Sequence, residues 1–445
     1  MVINIANFNF CGDSGGGGKP ALLQEKTATI VQNGSQTITP DEGFDGMSSV
    51  QINAAITGDS SAIDFSPIGY SDEFSAELNA KWNNDVAYSK SLLDAWNPSN
   101  TSAYELYSGD KKLLYAPKID TRNVTSINSM FSDCTNLTSV PLFNTSNVEN
   151  MQYVFGGCTN LKKVPAFDTS NVNIMSQMFY GCSSLTTVPA FNTSNVTNMY
   201  GMFYDCSSLT SVPALDTSKV TNIDRMFYGC SGLTSVPLFD TRNVKSMAYM
   251  FYDCSSLTSV PAFDTSNVTY MDCMFYGCSS LKTVPSFNTS KVTNMEYMFS
   301  RCSGLTSVQA LDTSKVTNMD YIFDGCSKLT TIEGISFKSF RDSTMDYSYI
   351  TGMYINTSIR KAVFKDIGYQ STAKQFNTEC IRNWGVNTDD ITDARQSVID
   401  SLITYSFDRA SAGYPTCEIK LYSTTKALLT SDEIAQIEAK GFTIA

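Results

Sequence analysis

The sequence predicts an α/β solenoid, a stack of about ten 24-residue coils that each join a short strand to a short helix. Three observations lead there. Nine cysteines, Cys134, Cys158, Cys182, Cys206, Cys230, Cys254, Cys278, Cys302 and Cys326, recur at a constant interval of 24 residues. Between them apolar residues keep fixed places, with Val148, Met151, Val154, Phe155, Leu161, Val164 and Phe167 in one unit and Val268, Met271, Met274, Phe275, Leu281, Val284 and Phe287 in another. Proline returns in eight units, at positions 117, 141, 165, 189, 213, 237, 261 and 285. One unit of this size cannot bury its apolar face alone, whereas stacked copies cover one another.

The elements follow in chain order. Residues 1–20 begin with alternating polar and apolar residues and end in DSGGGGKP, a docking segment closed by a flexible joint. Residues 21–60 read as a small β module for attachment, with strand–turn–strand patterns around Asn33-Gly34 and Gly43 to Gly46. Residues 61–112 form a helical N-terminal cap, its helix within SDEFSAELNAKWNNDVAYSKSLLDAW (71–96) carrying a serine cap and an acidic first turn. The solenoid occupies 113–336. In each unit DTSNV or a close variant supplies a helix N-cap. Gly157, Gly181, Gly229, Gly277 and Gly325 stand where that helix must stop. LTSV then reads as a strand, and the proline marks its end and the corner of the coil. A strand-plus-helix unit of this length falls in the leucine-rich-repeat size class. Coils about 4.8 Å apart make a rod of about 50 Å. In residues 337–445, TDARQSVIDSLITYSF, CEIKLYS, LTSDEIAQIEAKG and FTIA alternate helix and strand, as degenerate repeats and a C-terminal cap.

Composition narrows the chemistry. The 445 residues hold 31 basic and 43 acidic side chains, a net charge of −12 with no Lys/Arg run, so nucleic acid and anionic membrane surfaces are repelled. No segment has the roughly 18–20 apolar residues of a membrane span, and the N-terminus lacks the features of a secretory signal. One cysteine per repeat in one context reads as a buried packing position. Side chains stacked in parallel point the same way, against disulfides, and the absence of histidine and CxxC pairs is against zinc. Without histidine, the usual nucleophile–base triads are excluded. GGGGK is followed by Pro20, which spoils a phosphate loop. No catalytic residue, cofactor site or metal site is therefore expected. The column Asn144, Asp168, Asn192, Asp216, Asp240, Asp264, Asn288 and Asp312 reads as caps; three of its eight members are Asn, a poor start for a calcium ladder. The sequons at Asn144 and Asn195 fall out of the repeat.

The candidate recognition surface is aromatic. Tyr180, Tyr204, Tyr228, Tyr252 and Tyr276 share one column in five consecutive coils, with Tyr153, Tyr200, Tyr249, Tyr270, Tyr297 and Tyr321 in columns beside it. Tyrosine presents a flat apolar body and a polar tip at low entropic cost, which suits glycan or protein ligands. The alternative is that these rings only cover the coil. Thr/Ser pairs such as Thr210-Ser211 and Thr258-Ser259 form a second, polar face.

The stretch CSSLTSVPAFDTSNVTYMDCMFYG (254–277) resembles the BspA-like leucine-rich repeats of bacterial surface proteins and of proteins of their phages. The resemblance covers about half the chain, and implies adhesion and surface binding, not catalysis. The β module resembles N-terminal modules of head and tail appendage proteins of gut phages, crAss-like ones included. The ending SLITYSFDRASAGY…ALLTSDEIAQIEAKGFTIA resembles the terminal segment of repeat proteins of gut Bacteroides phages and their hosts. The expectation is a non-enzymatic virion appendage, a head or tail fibre assembled in the host cytoplasm. Residues 1–60 would bind other virion proteins and the solenoid a host-surface or mucosal glycan or protein, as a monomer or as a homo-oligomer (dimer or trimer). The alternatives are a bacterial cell-surface adhesin, which needs an export signal, and an intracellular interaction scaffold.

Overall fold

The computed structural model describes residues 86–117, 119–336, 359, 361–366, 391–421 and 423–445, and the backbone of the strands Val2–Ile5 (β1), Lys26–Thr29 (β2), Gly34–Ile38 (β3), Val50–Ile56 (β4), Ile63–Asp64 (β5) and Gln375–Asn377 (β8). The glycine-rich joint, the turns at Asn33 and at Gly43 to Gly46, and residues 71–85 of the cap lie outside the described residues.

The coils stack in register. Parallel bridges join Ser102 to Ser126, Ser126 to Asn150, Asn150 to Ile174, Ile174 to Asn198 and Asn198 to Asn222, and again Ser246 to Tyr270, Tyr270 to Asn294 and Asn294 to Asn318. Phe131, Phe155, Phe179, Phe203, Phe227, Phe251, Phe275, Phe299 and Phe323 form one interior pile, with ring centroids 5.5–5.8 Å apart and planes within 2–11° of parallel. Valine, methionine, leucine and cysteine columns fill the space around it, all buried. The chain is a repeat solenoid, and its core is continuous from Leu92 to Phe442. The coil register already begins at Ser102, before residue 113, and Tyr107 occupies the phenylalanine column, 5.6 Å from Phe131.

The local conformation within a coil differs from the strand-plus-short-helix expectation. Among the described residues, no α-helix lies between Trp96 and Thr330. Where a helix was expected, alternate N–H groups point in different directions. Met271, Cys273, Phe275 and Gly277 donate to Asn294, Glu296, Met298 and Ser300 of the next coil at 2.8–3.0 Å. Met274, Tyr276 and Cys278 donate three residues back within their own coil. The switch needs left-handed residues, and Tyr153, Gln177, Arg225, Tyr249, Cys273, Tyr297 and Tyr321 all have φ between 53° and 58°. A helix of two turns is marginal alone, whereas each lateral bond is repeated down the stack. Stacking wins. LTSV makes few lateral backbone bonds, such as Thr258 N–H to Thr234 O at 3.1 Å. A regular strand appears only at Thr331–Ser336 (β6).

The expected N-caps are Asx turns. Asp264 Oδ1 accepts from Ser266 N–H at 2.9 Å, and Asp168 from Ser170 at 3.0 Å. The next residue is a buried threonine whose hydroxyl, in every coil but that of Thr217, reaches the following coil, as Thr265 to Asn288 O at 2.9 Å.

Both ends are covered. The helix Val86–Asp94 lies over the first coil, burying Leu92, while Trp96 beyond it donates from Nε1 to Asp120 O at 2.8 Å. At the other end β6 pairs in parallel with Lys361–Lys365 (β7). β8 pairs in parallel with Cys417–Lys420 (β9), which pairs with Phe442–Ile444 (β10). Helix Ile391–Ile399 runs into a π-helical turn, Asp400–Thr404, and covers β7; helix Ser431–Ala439 starts at a Thr430/Glu433 capping box. In the N-terminal segment β1 pairs antiparallel with β2, and β3, β4 and β5 form an antiparallel sheet. Gly34, read as part of a turn, is itself a strand residue opposite Ala54.

Candidate functional site

The five tyrosines of the predicted column stand on the left-handed turn segment, each half-buried. Their rings stack almost face to face: Tyr180–Tyr204 at 4.6 Å, Tyr204–Tyr228 at 4.3 Å, Tyr228–Tyr252 and Tyr252–Tyr276 at 4.4 Å. Tyr153 meets Tyr180 at 5.6 Å, Tyr297 meets Tyr276 edge-on at 6.2 Å, and Tyr321 stacks on Tyr297 at 4.9 Å. One aromatic strip thus crosses eight coils, from Tyr153 to Tyr321.

Sequence reasoning found the column but missed the cations in the strip. The Arg225 guanidinium lies 4.8 Å from the Tyr249 ring centre and 5.8 Å from that of Tyr200, donating from Nη1 to the Tyr200 hydroxyl at 2.7 Å. Arg301 covers Tyr276 at 5.2 Å. The signal was available, since Arg225 precedes Tyr249 by one repeat. Tyr270, by contrast, is half exposed in the bridge column, away from the strip.

This geometry decides what the strip offers. The faces of the column rings lie against neighbouring rings or arginine, so a ligand meets ring edges and hydroxyls. Burial pushes the Tyr252 hydroxyl up to about 12, helped by neighbouring Tyr276, and raises Tyr204 and Tyr228. These hydroxyls stay protonated at neutral pH and can donate as well as accept.

The cysteine column is structural. All nine thiols are fully buried, and each Sγ donates to a carbonyl in the preceding coil at 2.9–3.1 Å: Tyr107 O for Cys134, Phe131 O for Cys158, and so on to Phe299 O for Cys326. Burial raises Cys134 and Cys326 to about 12, away from the reactive thiolate form. Among the described residues no three Cys, Asp or Glu side chains converge in a metal-binding arrangement.

A second feature lies along the Asx-turn corner. A polar groove of about 780 Å³ is lined by Ser99, Thr101, Asn123, Thr125, Asn147, Glu149, Asn171, Asn173 and Asn195.

Comparison with known proteins adds a family. Residues 77–361 match, in overlapping segments at 77–186, 101–214, 158–260, 209–305, 233–336 and 257–361, the family described as "Mycoplasma protein of unknown function, DUF285". The chain belongs to this family. Its repeats are of the BspA-like leucine-rich kind. Among solved structures, a leucine-rich repeat protein from Bacteroides ovatus ATCC 8483 is 19% identical, with a TM-score of 0.29, covering 65% of this chain and 85% of that one. One from Eubacterium ventriosum ATCC 27560 is 18% identical, with a TM-score of 0.28 and coverage of 53% and 87%. The T. pallidum leucine-rich repeat protein is 20% identical, with a TM-score of 0.22 and coverage of 48% and 76%. No curated protein matches the chain. Among the described residues of this DUF285 member, no helix is long and apolar enough to cross a membrane.

Proposed function

We propose that this DUF285 solenoid is a non-enzymatic binding scaffold that displays its tyrosine strip to a protein or glycan ligand. The observation carrying this is the continuity of the strip: ring edges and hydroxyls repeat across eight coils on a continuous core. With ring faces closed, the contacts are hydrogen bonds and edge-on packing rather than sugar stacking. The finer reading is a phage appendage, with residues 1–60 docked on other virion proteins and the solenoid turned toward the host surface. It is supported by the resemblance of the β module, and by the antiparallel pairing of β3–β5, unlike the parallel stack of the coils. The family's Mycoplasma designation is a bacterial one, and the second reading is display on a bacterial cell surface.

Replacing Tyr204, Tyr228 and Tyr252 together by serine tests the strip. The variant is expected to keep its circular dichroism spectrum and to lose adherence to host cells; retained adherence with an intact fold removes the strip from binding. Mass spectrometry of purified phage particles separates the finer readings. Presence of the chain among structural proteins supports the appendage, and its absence there with recovery from the bacterial envelope supports the adhesin.

A further inference from the structure

The polar groove at the Asx-turn corner has a chemistry of its own. Four of its lining residues, Asn123, Asn147, Asn171 and Asn195, hold one column in consecutive coils. Each turns its amide nitrogen into the stack: Asn147 Nδ2 donates to Arg122 O at 2.8 Å, Asn171 to Ser146 O at 2.6 Å and Asn195 to Ser170 O at 2.8 Å. Asn123 donates likewise to Pro98 O at 3.2 Å. The carboxamide oxygens of Asn123, Asn147 and Asn171 are left on the groove side. Thr125 also spends its proton inward, on Thr101 O at 3.2 Å, so its lone pairs face out. Glu149 is exposed among these acceptors. The groove carries a row of carboxamide acceptors and one carboxylate, with the Asn173 amide and the Thr101 hydroxyl as further polar groups in its lining.

The molecule itself shows what satisfies such an oxygen. Where the next coil carries lysine in this column, its ammonium takes the asparagine: Lys219 Nζ donates to Asn195 Oδ1 and Lys291 Nζ to Asn267 Oδ1, each at 2.8 Å. Lys219 thereby closes one end of the groove. In the earlier coils the column continues with asparagine, and among the described residues no donor reaches Oδ1 of Asn123, Asn147 or Asn171.

We infer that this groove binds a linear polyamine whose ammonium groups take the positions that Lys219 and Lys291 fill in later coils. The open oxygens repeat at the coil spacing of about 4.8 Å, which is close to the separation of two amines joined by a three-carbon spacer. Each ammonium meets a carboxamide oxygen, and the one nearest Glu149 gains an ion pair. The net charge of −12 raises the local concentration of such a polycation.

Titration calorimetry of the full chain with norspermidine, whose spacers are all of three carbons, tests this at low salt. The key variant is Asn147→Lys with Asn171→Lys, which extends to two more coils a residue the column already carries at 219, 291 and 315. The ammonium introduced at 147 would occupy Asn123 Oδ1, and the two substitutions themselves remove the carboxamide oxygens at 147 and 171. A charge-matched control, Ser235→Lys with Ser259→Lys, adds the same charge on an exposed face where Lys163 already stands in the column. Saturable binding is expected in the wild type and the control, weakened about tenfold or more in the groove variant, a loss of about 1.4 kcal/mol. Glu149→Gln should weaken it about threefold to fivefold. Circular dichroism confirms that each variant is folded. Equal binding by groove variant and control, or no saturable binding by the wild type at millimolar norspermidine, overturns the assignment.

Discussion

One threonine breaks the pattern of its column and gives an internal control. Thr145, Thr169, Thr193, Thr241, Thr265, Thr289 and Thr313 are buried and donate their hydroxyls to a backbone carbonyl of the next coil at 2.8–3.1 Å. Thr217 is equally buried, yet its hydroxyl has no partner. Replacing a bonded hydroxyl by a methyl strands the facing carbonyl, which costs about 1–2 kcal/mol. Thr241→Val should therefore lower stability by about that amount, while Thr217→Val should be neutral or slightly stabilising because it removes a buried polar group that gains nothing. Denaturant unfolding of the two variants decides it. Equal losses would mean that the column matters by shape and not by its hydrogen bonds.

At the scale of the coil, the unit of construction is the 24-residue turn and not the strand or helix within it. Lateral bonds recur at the same offsets from coil to coil, and the thiol, phenylalanine, threonine and tyrosine columns each need the same register. Deleting residues 206–229, one complete coil, removes one rung from every column and joins equivalent positions. The shortened chain should fold cooperatively, with a modest loss of stability. Deleting residues 206–217 instead puts polar corner residues against the apolar columns on one side of the cut. Circular dichroism and size-exclusion chromatography are expected to show a folded monomeric species or oligomer for the first and aggregation or loss of structure for the second. A half-coil deletion that folds as well as the whole-coil one would contradict this account. Much of the coil was legible beforehand: the period, the buried columns, and a left-handed residue at Gly157, Gly181, Gly229, Gly277 and Gly325. The helix was misread because its apolar spacing is also that of a chain with alternate N–H groups turned to a neighbour. A single strand of sequence does not display the neighbour that receives them.

Across the whole molecule, two sets of carboxylates pull stability in opposite directions with pH. Burial raises Asp205, Asp224, Asp253, Asp272, Asp320 and Asp324 above the usual carboxylate range, with neighbouring acids adding to Asp205, Asp272 and Asp320. A folded state that holds these protons more tightly than the unfolded chain gains stability as pH falls through their raised folded values toward the unfolded value of about 3.9. Asp120, Asp168, Asp216, Asp240, Asp264 and Asp312 are lowered by hydrogen bonds from the serine or arginine two residues on. Their contribution is present above the unfolded value of about 3.9 and is lost as pH falls through their folded values. The melting temperature should rise as pH falls from neutral toward the unfolded aspartate value of about 3.9 and drop once pH falls below it. A profile that declines steadily from neutral pH would show that the buried acids do not govern it.

The 24-residue period alone specifies a stacked solenoid with a cysteine and phenylalanine interior, because only stacking hides apolar residues that recur at that interval. It also singles out the tyrosine column, since a repeat leaves each surface residue directly above its equivalent. What had to await the folded stack is every property that depends on two coils at once. Those are the lateral bonds that displace the helix, the stacking and cation contacts that close the tyrosine faces, and the inward turn of the asparagine amides that leaves their oxygens bare. The physical reason is common to all three: a side chain's free atoms are those its neighbour one coil away does not use, and that neighbour lies 24 residues off in the chain but about 4.8 Å away in space.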